Sequence, residues 1–198
     1  MAGGHYGDPP IESPSPTAGW RLNHSMLRIR DPVASLHFYI ELMGMRTVFT
    51  LNSGPYTIYF LGCPSSENSH TIAHFVQSSL ENMSQQSLLE LCHVHGSEKI
   101  ESGLYSNGNT PPHIGFGHLG FNVPDVAAAL DRLSAGGAKV VKPLGVATRE
   151  SAGLTDFEKQ KGIGVEEFHE GYKKQFSQIG FVQDPDGYWI ELVPSTLA

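Results

Sequence analysis

The alternation of apolar and polar positions first becomes regular at residue 24. His24, Met26 and Arg28 alternate with Ser25, Leu27 and Ile29, the period of a strand. Asp31-Pro32 follows, an N-cap residue and a first-turn proline, so a helix starts there. Val33, Leu36, Phe38, Tyr39 and Leu42 give it a core face, and Gly44 stops it. Strand-like runs come next at 46–51, 56–61 and 88–94, and the run 70–76 adds to the second or pairs beside it. After residue 117 the pattern begins again. A strand at 118–123 leads to a helix set up by Pro124-Asp125 and ended near Gly136-Gly137. Strands at 139–142 and 176–183, the turn Asp184-Pro185-Asp186-Gly187 and a last strand at 188–193 complete it. Each half reads β-α-β-β-β, which predicts an α+β protein of two repeated modules.

The repeat can be aligned residue by residue. With His24 laid on His118, Asp31 falls on Asp125 and Leu36 on Leu130. Each half closes on an apolar-Glu-Leu strand, Leu89-Glu90-Leu91 and Ile190-Glu191-Leu192. This divides the chain into an arm at 1–19 rich in Pro, Gly and Ser, a first module at 20–98, a polar linker at 99–116 and a second module at 117–198. The arm reads as flexible. The charged stretch 145–175 has no counterpart in the first half. An insertion of that length is a functional lid or a disordered segment, with short helices expected at 156–161 or 166–174.

Composition narrows the function. A net charge of −7 and the lack of a basic stripe exclude a nucleic-acid partner. No apolar run has membrane-spanning length. Cys63 and Cys92 are the only cysteines, so no disulfide framework is expected. The first residues lack an apolar leader, which with the free thiols points to the cytoplasm. No G-x-S-x-G or G-x-G-x-x-G fingerprint is present.

The candidate chemistry lies in the duplicated His and Glu. An unpaired carboxylate inside an apolar strand is costly, yet one occurs at the matching place in both halves. One imidazole and one carboxylate per copy bring His24, Glu90, His118 and Glu191 together as a four-ligand set. Two neutral nitrogens and two anionic oxygens suit a divalent cation of the Zn, Ni or Co kind. Cys92 shares a strand face with Glu90 and reads as a buried, inert thiol beside the pocket.

On these residues the chain resembles glyoxalase I (lactoylglutathione lyase), of the vicinal-oxygen-chelate superfamily. The matching stretches are His24-Ser25-Met26-Leu27-Arg28 with Asp31-Pro32; Leu89-Glu90-Leu91; Asn107-Gly108-Asn109; Gly115-Phe116-Gly117-His118-Leu119-Gly120; Val123-Pro124-Asp125-Val126; and Asp184-Pro185-Asp186-Gly187-Tyr188-Trp189-Ile190-Glu191. The resemblance implies paired βαβββ modules whose mixed sheet encloses a metal site. It implies that His24, Glu90, His118 and Glu191 hold one divalent ion, and that Glu191, with Glu90 opposite, moves the proton. Arg28, Met26, Asn107 and Lys174 become the substrate-contact candidates. The implied reaction turns the glutathione–methylglyoxal hemithioacetal into S-lactoylglutathione through an enediolate. The implied assembly is a homodimer in which one subunit's first module faces the other's second.

Three departures from the family pattern bear on the substrate. Val94 and Ile114 stand where the family commonly has an Asn and an Arg that hold glutathione, and the insertion 145–175 lies where the family has a shorter loop. Lys173 or Lys174 would then replace the lost charge. The alternatives are a related isomerase or lyase for another small carbonyl compound of secondary metabolism, an extradiol-type dioxygenase, and a ligand-sequestering protein on the same fold. The second carboxylate argues against the dioxygenase, and the complete ligand set argues against the sequestering protein.

Overall fold

The computed structural model describes residues 15–64, 76–77 and 87–196. Most of the N-terminal arm and of the run 70–76 therefore lies outside the described residues. Two four-stranded sheets carry the fold. The first is built from β1 (His24–Ile29), β2 (Arg46–Asn52), β3 (Tyr56–Gly62) and β4 (Leu88–Val94), in the order β1-β4-β3-β2. A hairpin of β5 (Asn109–Thr110) and β6 (His113–Ile114) lies in the linker, with a cis peptide between Pro111 and Pro112. The second sheet is built from β7 (His118–Val123), β8 (Lys139–Lys142), β9 (Gly180–Gln183) and β10 (Trp189–Pro194), in the matching order β7-β10-β9-β8. In each sheet the first and last strands run parallel and the other pairs antiparallel. The fold is thus α+β, with one mixed sheet in each of the two βαβββ modules.

The alternation seen in the sequence sorts the two sheet faces. Leu27 and Ile29 of β1, Leu89 and Leu91 of β4, Val182 of β9 and Ile190 and Leu192 of β10 enter one hydrophobic core shared by both halves. Helix α1 (Pro32–Leu36) and helix α2 (Val126–Ala135) start on Asp31 and Asp125, whose side chains accept from Val33 N and Ala128 N. These are the N-caps the sequence predicts. The face opposite the core carries His24, Met26 and Arg28 in the first sheet and His118 and Gly120 in the second.

The first helix differs from its expected form. After Leu36 it widens into a π-helical stretch, His37–Leu42, in which Met43 N bonds to Phe38 O rather than to the carbonyl four residues back. The widening brings the adjacent Phe38 and Tyr39 both into the core. Val33, expected inside, is 78% exposed. It lies on the same i, i+4 row as His37 and Glu41, whereas Ser35 shares the inner row with Phe38 and Tyr39 and is buried.

The second half grips the first through its tight turn. Asp186 accepts from Arg30 N at 3.1 Å, and Tyr39 Oη donates to Asp184 at 2.8 Å. Tyr188 Oη donates to the carbonyl of Arg28 at 3.1 Å. Gly187 takes φ +85 in this turn, a conformation that side-chain-bearing residues rarely adopt. Arg132 of α2 reaches back to the carbonyls of Leu42 and Glu41. Burial pushes Asp184 up to about 6, against the donors that surround it.

The insertion is built. Helix α3 (Asp156–Lys159) starts on a capping box between Thr155 and Glu158, and helix α4 (Glu170–Phe176) follows. Phe176 ends that helix instead of starting a strand, and the strand begins at Gly180. Phe176, Ile179 and Phe181 form a small core of their own, against which Trp189 packs.

Candidate metal centre

The parallel register places the candidate ligands. Met26 stands opposite Glu90 and Gly120 opposite Glu191, so each histidine lies two residues back, diagonally across from its glutamate. The diagonal closes to contact in both sheets. His24 Nε2 is 3.0 Å from Glu90 Oε2, and His118 Nε2 is 3.2 Å from Glu191 Oε2. Glu90 is 9% exposed, while both histidines are open to solvent on the outer face. A Cβ on Gly120 would stand 3.3 Å from Glu191 Oε2, so a side chain here would crowd the carboxylate.

A third matched residue completes each pair. Phe60 is the register partner of Glu90, and Phe181 that of Glu191. Each ring meets its histidine edge to face, at 5.5 Å for His24–Phe60 and 5.3 Å for His118–Phe181. Beside each phenylalanine the outer strand pairing is bulged, between Thr47 and Phe49 and between Val140 and Lys142. Bulges turn side chains toward sites. Phe49 stacks on Phe60 at 4.3 Å; Lys142 holds the equivalent place beside Phe181. These phenylalanines were missed in the sequence, because Phe60 precedes its glutamate by thirty residues and Phe181 by only ten.

The donor set fits a divalent cation. Two ligands each about 2.1 Å from a metal, at a right angle, stand about 3 Å apart, the spacing of both pairs. His24 offers a second sign. Its Nδ1 lies 2.7 Å from Asn23 Oδ1, a carbonyl-type partner on the ring nitrogen away from the glutamate. The carbonyl-type partner on Nδ1 is also the arrangement that orients a ligating imidazole. At the other pair, the bond to Glu191 raises the pKa of His118, with burial opposing.

One chain keeps the two pairs apart. Among the described residues no group of three or more His, Cys, Asp or Glu side chains converges. His24 with Glu90 and His118 with Glu191 are thus two separate pairs within the chain, one on each sheet.

The other candidates are spread around these pairs. Met26 and Arg28 are exposed on the His24 face. Val94 lies at the far end of the Glu90 face, opposite Tyr56. Asn107 uses its amide oxygen to accept from Asn109 N and Thr110 Oγ1, and its amide nitrogen faces Gly187. It is engaged in shaping the linker turn. Lys173 is paired with Glu170 at 2.8 Å, and Lys174 is exposed on the same helix. Burial pushes the Cys92 thiol up, with Arg28 opposing, in keeping with an inert thiol. Lys142 was not singled out from the sequence. It is fully buried, donates to the carbonyl of Ile179, and lies 4.5 Å from the centre of the Phe176 ring. Burial pulls its pKa from 10.5 to about 8, with Glu191 opposing.

These features meet a family model, the Glyoxalase/Bleomycin resistance protein/Dioxygenase superfamily, which matches residues 21–192. The chain belongs to this superfamily. It is 34% identical to a Pseudomonas aeruginosa protein named lactoylglutathione lyase, over 94% of this chain and 89% of that one. It is 31% identical to a Saccharomyces cerevisiae protein named glyoxalase I, over 92% of this chain and 47% of that one. Among solved structures, Leishmania major glyoxalase I superposes with a TM-score of 0.53 at 21% identity, covering 88% of this chain and 86% of that one. Glyoxalase I from Zea mays gives 0.52 at 23% identity, covering 87% of this chain and 44% of that one. At these identities the structural likeness concerns the fold. No helix among the described residues is long and apolar enough to cross a membrane.

Proposed function

We propose that this chain is a lactoylglutathione lyase that isomerises a glutathione hemithioacetal of a 2-oxoaldehyde to the 2-hydroxyacyl thioester. The observation that carries the reading is the duplicated His–Glu pair, 3.0 Å in one half and 3.2 Å in the other, at the spacing of neighbouring metal ligands. The named Pseudomonas aeruginosa relative supports the substrate class.

The reaction shifts a proton from C1 of the hemithioacetal to C2. C1–H is weakly acidic, so negative charge develops on the two vicinal oxygens. A divalent cation held by His24, Glu90, His118 and Glu191 would supply Lewis-acid stabilisation of that charge. Glu191 removes the C1 proton and returns it to the adjacent carbon, and Glu90 faces the substrate from the opposite side. Phe60 and Phe181 fix the imidazoles and keep water from the carboxylates. Arg28, exposed on the His24 face, holds a glutathione carboxylate; Met26 lies between them along the strand, and Lys174 adds positive charge at the rim.

The two half-sites meet between two copies of the chain, the first sheet of one facing the second sheet of the other. This assembly is a homodimer with a two-fold axis, so it forms two equal centres. Sedimentation of the metal-loaded protein is expected to give a dimer at micromolar concentration. The activity is tested on metal-stripped protein reconstituted separately with Zn, Ni and Co, following thioester formation from glutathione and methylglyoxal. Turnover with at least one ion is expected. No turnover with any of them, in protein that binds the ion, contradicts the reading.

A further inference from the structure

The two His–Glu pairs match in histidine, glutamate and phenylalanine, and differ in one support. In the first half, Asn23 stands beside the histidine, and its Oδ1 lies 2.7 Å from His24 Nδ1. In the second half the repeat puts Gly117 at that place, so no side chain stands there. The rings are otherwise held alike. Each meets a glutamate through Nε2, at 3.0 and 3.2 Å, and a phenylalanine edge to face, at 5.5 and 5.3 Å. Both side chains are open to solvent, 39% for His24 and 43% for His118, so packing restrains only part of each ring.

Asn23 is itself fixed. Its backbone carbonyl accepts from Leu88 N at 2.9 Å, and the carbonyl of Leu22 accepts from Ser87 Oγ at 3.3 Å. The residue is thus tied to the start of β4, the strand that carries Glu90 two residues further on. One strand therefore sets the glutamate and the support of the histidine in register with each other. Position 117 could take the same residue. Gly117 has no positive φ, and a Cβ there would meet nothing within 4 Å. Its carbonyl, which accepts from Asn109 Nδ2, is backbone and stays in place in a variant.

We infer that Asn23 is a positioning residue of the metal centre, holding the His24 ring with Nε2 toward the ion. The centre then has one firmly held imidazole, His24, and one held less firmly, His118. The inference rests on the metal-dependent lyase reading above. A ligating imidazole is oriented by the partner on its other ring nitrogen, and loss of that partner costs about 10–100-fold in metal affinity. An exposed ring without it spends most of its time turned away from the ion and must be reordered each time the ion binds.

The test measures the Kd of metal-stripped protein for Zn, by competition with a chromophoric chelator, and the visible spectrum of the Co-loaded protein. Wild type, Asn23→Leu, Asn23→Asp and Gly117→Asn are compared. Asn23→Leu keeps the backbone bond to Leu88 and is expected to bind Zn about 10–100-fold more weakly, with an altered Co spectrum. Asn23→Asp keeps an oxygen on Nδ1 and is expected to bind at least as tightly as wild type. Gly117→Asn, which gives His118 the same support, is expected to bind more tightly. Metal-free Asn23→Leu should unfold in urea at the wild-type midpoint, because the lost contact is exposed. Wild-type Zn affinity in Asn23→Leu overturns the positioning role and leaves the lyase reading standing. An equal loss in Asn23→Asp overturns it too, since the oxygen on Nδ1 would not be what matters. Gly117→Asn no tighter than wild type overturns the inequality of the two imidazoles. A wild type that binds no Zn, Ni or Co removes the metal-dependent reading, and the positioning role with it.

Discussion

At the scale of single residues, the two glutamates have matching contacts but different surroundings. Glu90 is bordered by Met26 across the strands, and Glu191 by the bare backbone of Gly120. The carboxylate of Glu191 therefore has free space beside it that a side chain at position 120 would fill. Glu191→Gln keeps an oxygen of similar size and removes the basicity. It is expected to lower kcat by about 10²–10⁴-fold while most of the metal stays bound, as read by single-turnover rates and elemental analysis on the same preparation. If Glu191→Gln remains near wild type and Glu90→Gln is inactive, the roles are reversed. The histidines and glutamates were legible in the sequence because a repeat makes an improbable residue improbable twice. Phe60 and Phe181 were not, because the loops between equivalent strands differ in length and break the linear alignment. Val33 was misread for a different reason: one helical turn holds too few apolar positions to show which row faces inward.

At the scale of elements, the succession of strands and helices and the helix caps followed from periodicity and turn chemistry. Which strands lie side by side was not legible, since alternation reports faces and says nothing about edges. The matched bulges in β2–β3 and β8–β9 were also hidden, because an extra residue in a short strand leaves the apolar pattern almost unchanged. The second bulge places Lys142 under α4 at an energetic cost. Its folded pKa of about 8 lies below the ordinary 10.5, so the unfolded chain binds the proton more tightly. The penalty is complete below pH 8 and is relieved as the pH rises toward 10.5. Lys142→Met is expected to raise stability at pH 7 by ~1–3 kcal/mol, with the gain shrinking between pH 8 and 10.5. Urea unfolding of both proteins across that range checks it. A gain that grows with pH would reverse the assigned sign.

At the scale of the whole molecule, one buried contact does much to join the halves. Tyr39 of the π-helical stretch donates to Asp184 of the last turn at 2.8 Å, and both are buried. Tyr39→Phe removes the donor and leaves a buried carboxylate oxygen without it, which is expected to cost ~1–3 kcal/mol in urea unfolding. A loss well below that range would mean that water replaces the hydroxyl there. The raised pKa of Asp184 makes the folded state the better proton binder. This group therefore favours folding at acid pH, and its contribution is lost as the pH rises through about 6. The repeat itself was the most legible feature of the chain, but a linear repeat does not say which copies face one another.

That pairing is the central claim, and subunit complementation tests it most directly. One variant carries His24→Ala with Glu90→Ala, the other His118→Ala with Glu191→Ala, and each alone is expected to be inactive. If every centre joins the first sheet of one chain to the second sheet of its partner, a mixed dimer has one intact centre and one doubly broken centre. Co-refolding equal amounts should then restore about a quarter of the wild-type activity, since half the dimers are mixed and one centre in each works. Co-refolded dimers without any recovered activity, from chains that separately fold and associate, would contradict the shared centre.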